Sequence, residues 1–164
     1  MTDASNRELN RLVADLGSDS AVVRRDARSA LVAIGSAAVP PLLSALDAPK
    51  QHVRWEAAKT LAEIADPAAA ERLVAALADK DSDVRWVVGA ALIALGRATV
   101  RPLLSTLTQS DLPDGMYQGA HHVLHDLARH DQLASQLKPV LDAFKEPEPQ
   151  VAVPLAAAAA LKDM

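Results

Sequence analysis

From Val53 to Ala65 the chain reads VRWEAAKTLAEIA. At about 100° per residue, Val53, Ala57, Thr60, Leu61 and Ile64 fall on one helical face, and Trp55, Glu56, Lys59 and Glu63 on the other. The same apolar spacing returns in VRRDARSALVAIG (Val23 to Gly35) and VRWVVGAALIALG (Val84 to Gly96). A leucine-rich hexamer precedes each: RLVADL from Arg11, PLLSAL from Pro41, RLVAAL from Arg72, then PLLSTL from Pro102 and PVLDAF from Pro139. These hexamers start 30, 31, 30 and 37 positions apart. The valine motif opens 12 residues after its hexamer at Val23, Val53, Val84 and Val151, and 14 after at Met116. Two independent patterns in one register define a repeat.

Each unit therefore predicts a helix A ending in the hexamer, a short turn, and a helix B opening on the valine motif. The units run about 5–35, 36–65, 66–96, 97–128 and 129–164, one domain over 1–164. Ser5 and Glu8 form a capping box that starts the first helix near Asn6, and Gly17 ends it. Ser18, Asp19 or Ser20 caps the first B helix, and Asp81 or Ser82 the third. Asp66 followed by Pro67 is a cap with proline at the first helical position. Gly35 and Gly96 stand just past B helices, where a positive φ is wanted. Pro40, Pro41 and Pro102 are placed in the first turn of their helices, and Pro139 later, where it kinks its segment. The fourth unit is irregular, because LPDG (Leu112 to Gly115) lengthens its internal turn. The last B helix, VAVPLAAAAAL, has no charge before Lys162, so it either frays or meets a second molecule.

The repeats make the fold class all-α. Composition agrees: half the residues are hydrophobic but only 2% aromatic, so the core is aliphatic. A net charge of −4 argues against a nucleic-acid partner. No cysteine is present, which excludes disulfides and thiolate chemistry. The polar start MTDASNRELN is unlike a signal peptide, and no apolar run of 18 residues stands out to cross a bilayer. A soluble cytoplasmic protein with no membrane partner is expected.

A leucine-rich helix, an acidic turn and then Val-Arg-x-x-Ala-x-x-Ala-Leu resembles the HEAT repeat, and most closely the HEAT-like subtype named after phycobilisome (PBS) lyases. The likeness is strong over residues 9–107 and weaker beyond Met116. It implies a right-handed α-α superhelix, a solenoid of about five helical hairpins. In such a solenoid A helices lie on the convex side and B helices line the concave side.

On that implication the B helices present Val22, Arg25, Asp26 and Ser29, then His52, Trp55, Glu56 and Lys59. Asp83, Trp86, Val87 and Ala90 follow, then Gly115, Gln118, Gly119 and His122. Trp55 and Trp86 hold equivalent places in adjacent units. Covering one exposed indole supplies about 4–6 kcal/mol gross. The expected function is a non-catalytic scaffold that binds another protein on its concave face. Trp55 and Trp86 would anchor it, ringed by Arg25, His52, Glu56, Lys59, Val87, Ala90 and His122, in a monomer or weak homodimer. The competing reading lays both indoles flat against neighbouring helices.

Arg24, Arg54 and Arg85 recur at one position per unit beside acidic turns, so they should pair with carboxylates or turn carbonyls; Tyr117 interrupts this ladder. His121, His122, His125 and His130 cluster with Asp126 and Asp131. His121 with His125, and His122 with Asp126, could share a face and hold a transition metal. Iron-dependent HEAT-like hydroxylases use His-Glu dipeptides, however, and no histidine here precedes glutamate. With no phosphate loop, nucleophile elbow or zincin motif, no catalytic residue and no cofactor are assigned. The alternative, drawn from the subtype alone, is a bilin lyase-like subunit that binds a tetrapyrrole chromophore or its carrier protein.

Overall fold

A computed structural model describes residues 3–109, 111–130 and 133–164, with Asp3 and Ala4 described by backbone alone. Among these residues there is no strand. The helices are α1 (Asp3–Asp15), α2 (Ala21–Ile34), α3 (Val39–Ala45), α4 (Gln51–Ile64), α5 (Ala70–Ala76), α6 (Ser82–Ala94), α7 (Arg97–Leu107), α8 (Asp114–His130), α9 (Ala134–Ala143) and α10 (Pro149–Lys162). Short 3-10 turns at Gly35–Ala38 and Pro67–Ala69 lead into α3 and α5.

The turns close where the punctuation places them. Ser20 accepts from the Val23 amide, and Asp81 from the amides of Asp83 and Val84. Asp66 accepts from the Ala68 amide at 2.9 Å. Two placements differ. Helix α1 already includes Asp3, so Ser5 is not its cap; Glu8 instead meets Arg11 at 2.7 Å, one turn on. Pro102 lies well inside α7, because that helix starts at Arg97, directly after the Gly96 corner.

Helices α2, α4, α6 and α8 pack side by side in one row, and α1 against α3 and α5 against α7 in a second. The hexamers explain why the rows adhere. Their second and sixth residues (Leu12 and Leu16, Leu42 and Leu46, Leu73 and Leu77, Leu103 and Leu107) are all buried. Facing them, the fifth and ninth motif residues (Ala27 and Leu31, Ala57 and Leu61, Val88 and Leu92, Ala120 and Leu124) are buried too. A small residue opposite leucine lets paired helices approach closely.

The last hairpin breaks this scheme. Helix α9 packs on α8, and α10 packs on α9 and α7, so α10 joins the A-type row. Its fifth and ninth motif residues, Leu155 and Ala159, are exposed, Leu155 at 70%, while Val153, Ala157 and Ala160 are buried instead. The cause sits one unit earlier. The thirteenth motif residue turns the chain in the first three units, with φ of 72° at Gly35, 52° at Ala65 and 58° at Gly96. Its counterpart Ala128 is helical, α8 runs on to His130, and the chain re-enters on the same row. The last segment is a helix from Pro149, with Pro154 inside it.

Ala65 is left-handed (φ 52°, ψ 37°) and donates its amide to Leu61. Alanine is strained there by about 1 kcal/mol and glycine is not. Part of that gain is cancelled by the extra freedom of glycine in the unfolded chain. Ala65→Gly should raise the melting temperature by about 1–3 °C in a thermal scan.

The run Ala21–Ala45 reaches the length and hydropathy (1.3) of a candidate bilayer span, contrary to the sequence expectation. It is not one rod: the α-helix ends at Gly35, and the 14 residues of α2 cover about 21 Å against the roughly 30 Å of a hydrocarbon core.

Candidate functional site

The B-type face of α4, α6 and α8 carries the residues singled out by the repeat. Trp86, on α6, is 68% exposed. Its ring stacks on His122 of α8, with centroids 5.4 Å apart and planes 26° from parallel. Trp86 and Trp55 line one cavity of about 290 Å³ together with His52 and Asp83. On the other side of Trp86 a second cavity of about 340 Å³ reaches Gly89, Gln118, Gly119 and His122. Gly119 lets α8 close against the core, since a Cβ there would stand 2.9 Å from the buried Leu77 Cδ2.

Trp55 is only partly exposed. It packs against the core cluster, and Lys59 Nζ lies 4.8 Å from its ring centroid, so Lys59 covers the indole it was expected to flank. His52 is half-buried, with Nε2 3.3 Å from the Gly17 carbonyl oxygen. Arg25 is exposed and meets its neighbour Asp26 at 3.2 Å. Ala90 is exposed.

Two expected exposures are overturned. Val87 is 7% exposed, because α4 and α8 flank α6 and close over its sides, leaving only a narrow outward strip that Trp86 and Ala90 occupy. Glu56 is 6% exposed and accepts from Arg28 at 2.6 Å and Arg24 at 3.3 Å. It ties α2 to α4, and it lines the cavity between Trp55 and Trp86 from below instead of standing out as an exposed rim. The missed signal was the pair of arginines four apart in the preceding B helix, Arg24 and Arg28, which need a carboxylate in the next unit.

The arginine ladder forms as the spacing implied. Arg24 donates to the carbonyls of Ser18 and Asp19, Arg54 to those of Ala48 and Pro49, and Arg85 to that of Asp79. Arg54 also reaches Asp79 of the next turn with two hydrogen bonds, at 2.6 and 2.9 Å. Burial pushes the Asp79 carboxyl up, but the Arg54 guanidinium and the Asp81 amide outweigh it and hold it below the ordinary value.

The histidines do not converge. His122 turns to Trp86, whereas His121 packs on Phe144 at 5.0 Å and sits 6.1 Å from His125. His130 Nδ1 lies 3.0 Å from the Asp126 carbonyl oxygen. Asp131 lies outside the described residues. Among the described residues no three His, Cys, Asp or Glu side chains form a metal-holding group.

The backbone is similar to that of a designed armadillo repeat protein, YIII(Dq)4CqI, with a TM-score of 0.44 and 20% identity over 93% of this chain and 82% of that one. No curated protein shows a significant match. Residues 9–95, the first three units less their ends, match the sequence family of HEAT repeats. The chain belongs to the HEAT-repeat family.

Proposed function

We propose that this chain is a non-catalytic scaffold whose B-type face, the concave wall of a HEAT solenoid, binds a partner protein with Trp86 as anchor. One observation carries the reading: Trp86 is 68% exposed in a chain with 2% aromatic residues. An indole in water is costly to keep, and tryptophan is enriched among interface hot spots. Covering it removes roughly 100–170 Å² from water, about 3–4 kcal/mol gross before association costs. Asp83, Gln118 and Arg25, all exposed, supply the polar surround. Trp55 contributes an edge and not a whole face.

Trp86→Ala should weaken capture of the partner from native extract by about 30-fold, about 2 kcal/mol, with the melting temperature unchanged. Trp55 is a poor second probe, because its loss disturbs core packing. Leu155→Ser is the control, being equally exposed on α10 and outside this groove. If Leu155→Ser abolishes capture and Trp86→Ala does not, the assigned face is wrong. The same exposed stack could seat a tetrapyrrole. A titration with free bilin should leave its visible band unshifted, and a shift lost in Trp86→Ala would favour the lyase-like alternative.

A further inference from the structure

The fourth unit departs from the repeat where Tyr117 takes the ladder position of Arg24, Arg54 and Arg85. Those arginines spend their donors on turn carbonyls. The Tyr117 hydroxyl is buried and has no hydrogen-bond partner among the described residues. Burial, helped by Asp111, pushes its pKa up, so it stays a neutral donor. The exchange replaces a charged rung with an aromatic ring that meets Phe144.

Tyr117 lines a cavity of about 720 Å³ between α8 and the α9–α10 corner, within the roughly 300–1,000 Å³ of small-molecule sites. The chain has one tyrosine and one phenylalanine, and both stand in this wall. Phe144 meets Tyr117 edge-on, at 6.2 Å and 79°, and His121 at 5.0 Å. The polar lining is rich in donors, the amides of Gln118 and Gln150 and the Lys145 ammonium, while the Tyr117 hydroxyl itself is sealed from solvent behind the wall. Lys145 and Lys138 share the single carboxylate of Asp142, held down at about 2 by hydrogen bonds from both, so one positive charge of the trio is left over. Burial, and then His125 and Lys145, lower the His121 pKa, which keeps that ring neutral at pH 7. Asp114, the one carboxylate among the described lining residues, is exposed in the first turn of α8, where the helix dipole already favours it.

We propose that this cavity is a binding site for a small aromatic carboxylate. Its ring would lie against Phe144 and Tyr117, and its carboxylate would accept from the Lys145 ammonium and the Gln150 amide. The site shares only Gln118 with the groove around Trp86 and does not depend on the protein-binding reading.

The test uses the full chain with three probes of one shape: 2-naphthoate, uncharged 2-naphthamide and cationic 2-naphthylmethylammonium. Amide NMR should show saturable submillimolar binding of 2-naphthoate, centred on residues 114–121 and 144–150, and at least 5-fold weaker binding of the other two. Tyr117→Phe should leave 2-naphthoate binding within about 2-fold and raise the melting temperature of the free protein by removing an unpartnered buried hydroxyl. Lys145→Gln should weaken it about 5–10-fold. No saturable binding, equal binding of the three probes, or shifts centred on Trp86 would overturn the proposal. So would a Lys145→Gln variant that binds 2-naphthoate unchanged.

Discussion

Arg54→Met should lower the stability of the chain by about 4 kcal/mol and its melting temperature by roughly 8–16 °C, the largest loss expected from a single polar substitution here. The residue is 5% exposed. Its guanidinium satisfies the Ala48 and Pro49 carbonyls of its own turn and both carboxylate oxygens of Asp79 in the next. Methionine keeps the aliphatic stem but strands a part-buried carboxylate and two carbonyls, and orphaned acceptors, more than lost attraction, set the cost. Acid should reveal the same linkage. Because Asp79 titrates below its ordinary value, its contribution is fully present above the unfolded carboxylate pKa, near 3.9. That contribution is lost as pH falls through the lower folded value. Denaturant midpoints measured from pH 6 down to pH 2 should therefore converge for wild type and Arg54→Met at the acid end. A constant gap across that range would mean that the salt link carries none of the difference.

The rows and their core were legible because leucine positions repeat with a fixed period, and burial of Leu16, Leu42, Leu73 and Leu103 follows from that period alone. Corner residues were legible at Gly35 and Gly96 but not at Ala65, whose side chain gives no sign of a positive φ. The inversion of the last hairpin was hidden for a related reason. What redirects the chain is the lack of a corner at Ala128, and a missing turn signal inside an apolar helix reads as ordinary continuation. At the candidate site Trp86 stood out by its outward place on α6. Trp55, at the equivalent place on α4, differs because it packs against the core and lies under Lys59, whose choice between solvent and the ring is a rotamer that periodicity does not contain. Charge created the largest error. A helical wheel sorts Glu56 outward by polarity, but the outward strip of α4 is also the seam with α2, where two arginines are waiting.

That seam sets the second large effect. Glu56→Ala should cost about 2–3 kcal/mol, roughly 4–12 °C, whereas Arg25→Ala, one helix away in an exposed pair, should change stability by under about 0.5 kcal/mol. Removing Glu56 takes away the acceptor of Arg28 at 2.6 Å and of Arg24 at 3.3 Å. The cost stays below that of Arg54→Met because both arginines keep other partners. Arg24 retains the Ser18 and Asp19 carbonyls, and Arg28 retains Glu63 at 3.2 Å. In a stack of units that touch only their neighbours, the loss should fall on the seam between the first two. Hydrogen exchange should show the amides of α1 and α2 losing protection while those of α6 and α7 hold theirs. Below the melting range the Trp86 surface should still capture its partner in Glu56→Ala, because both carboxylate oxygens are taken by Arg24 and Arg28. A variant that melts like wild type but fails to bind would return Glu56 to the rim and remove it from the seam.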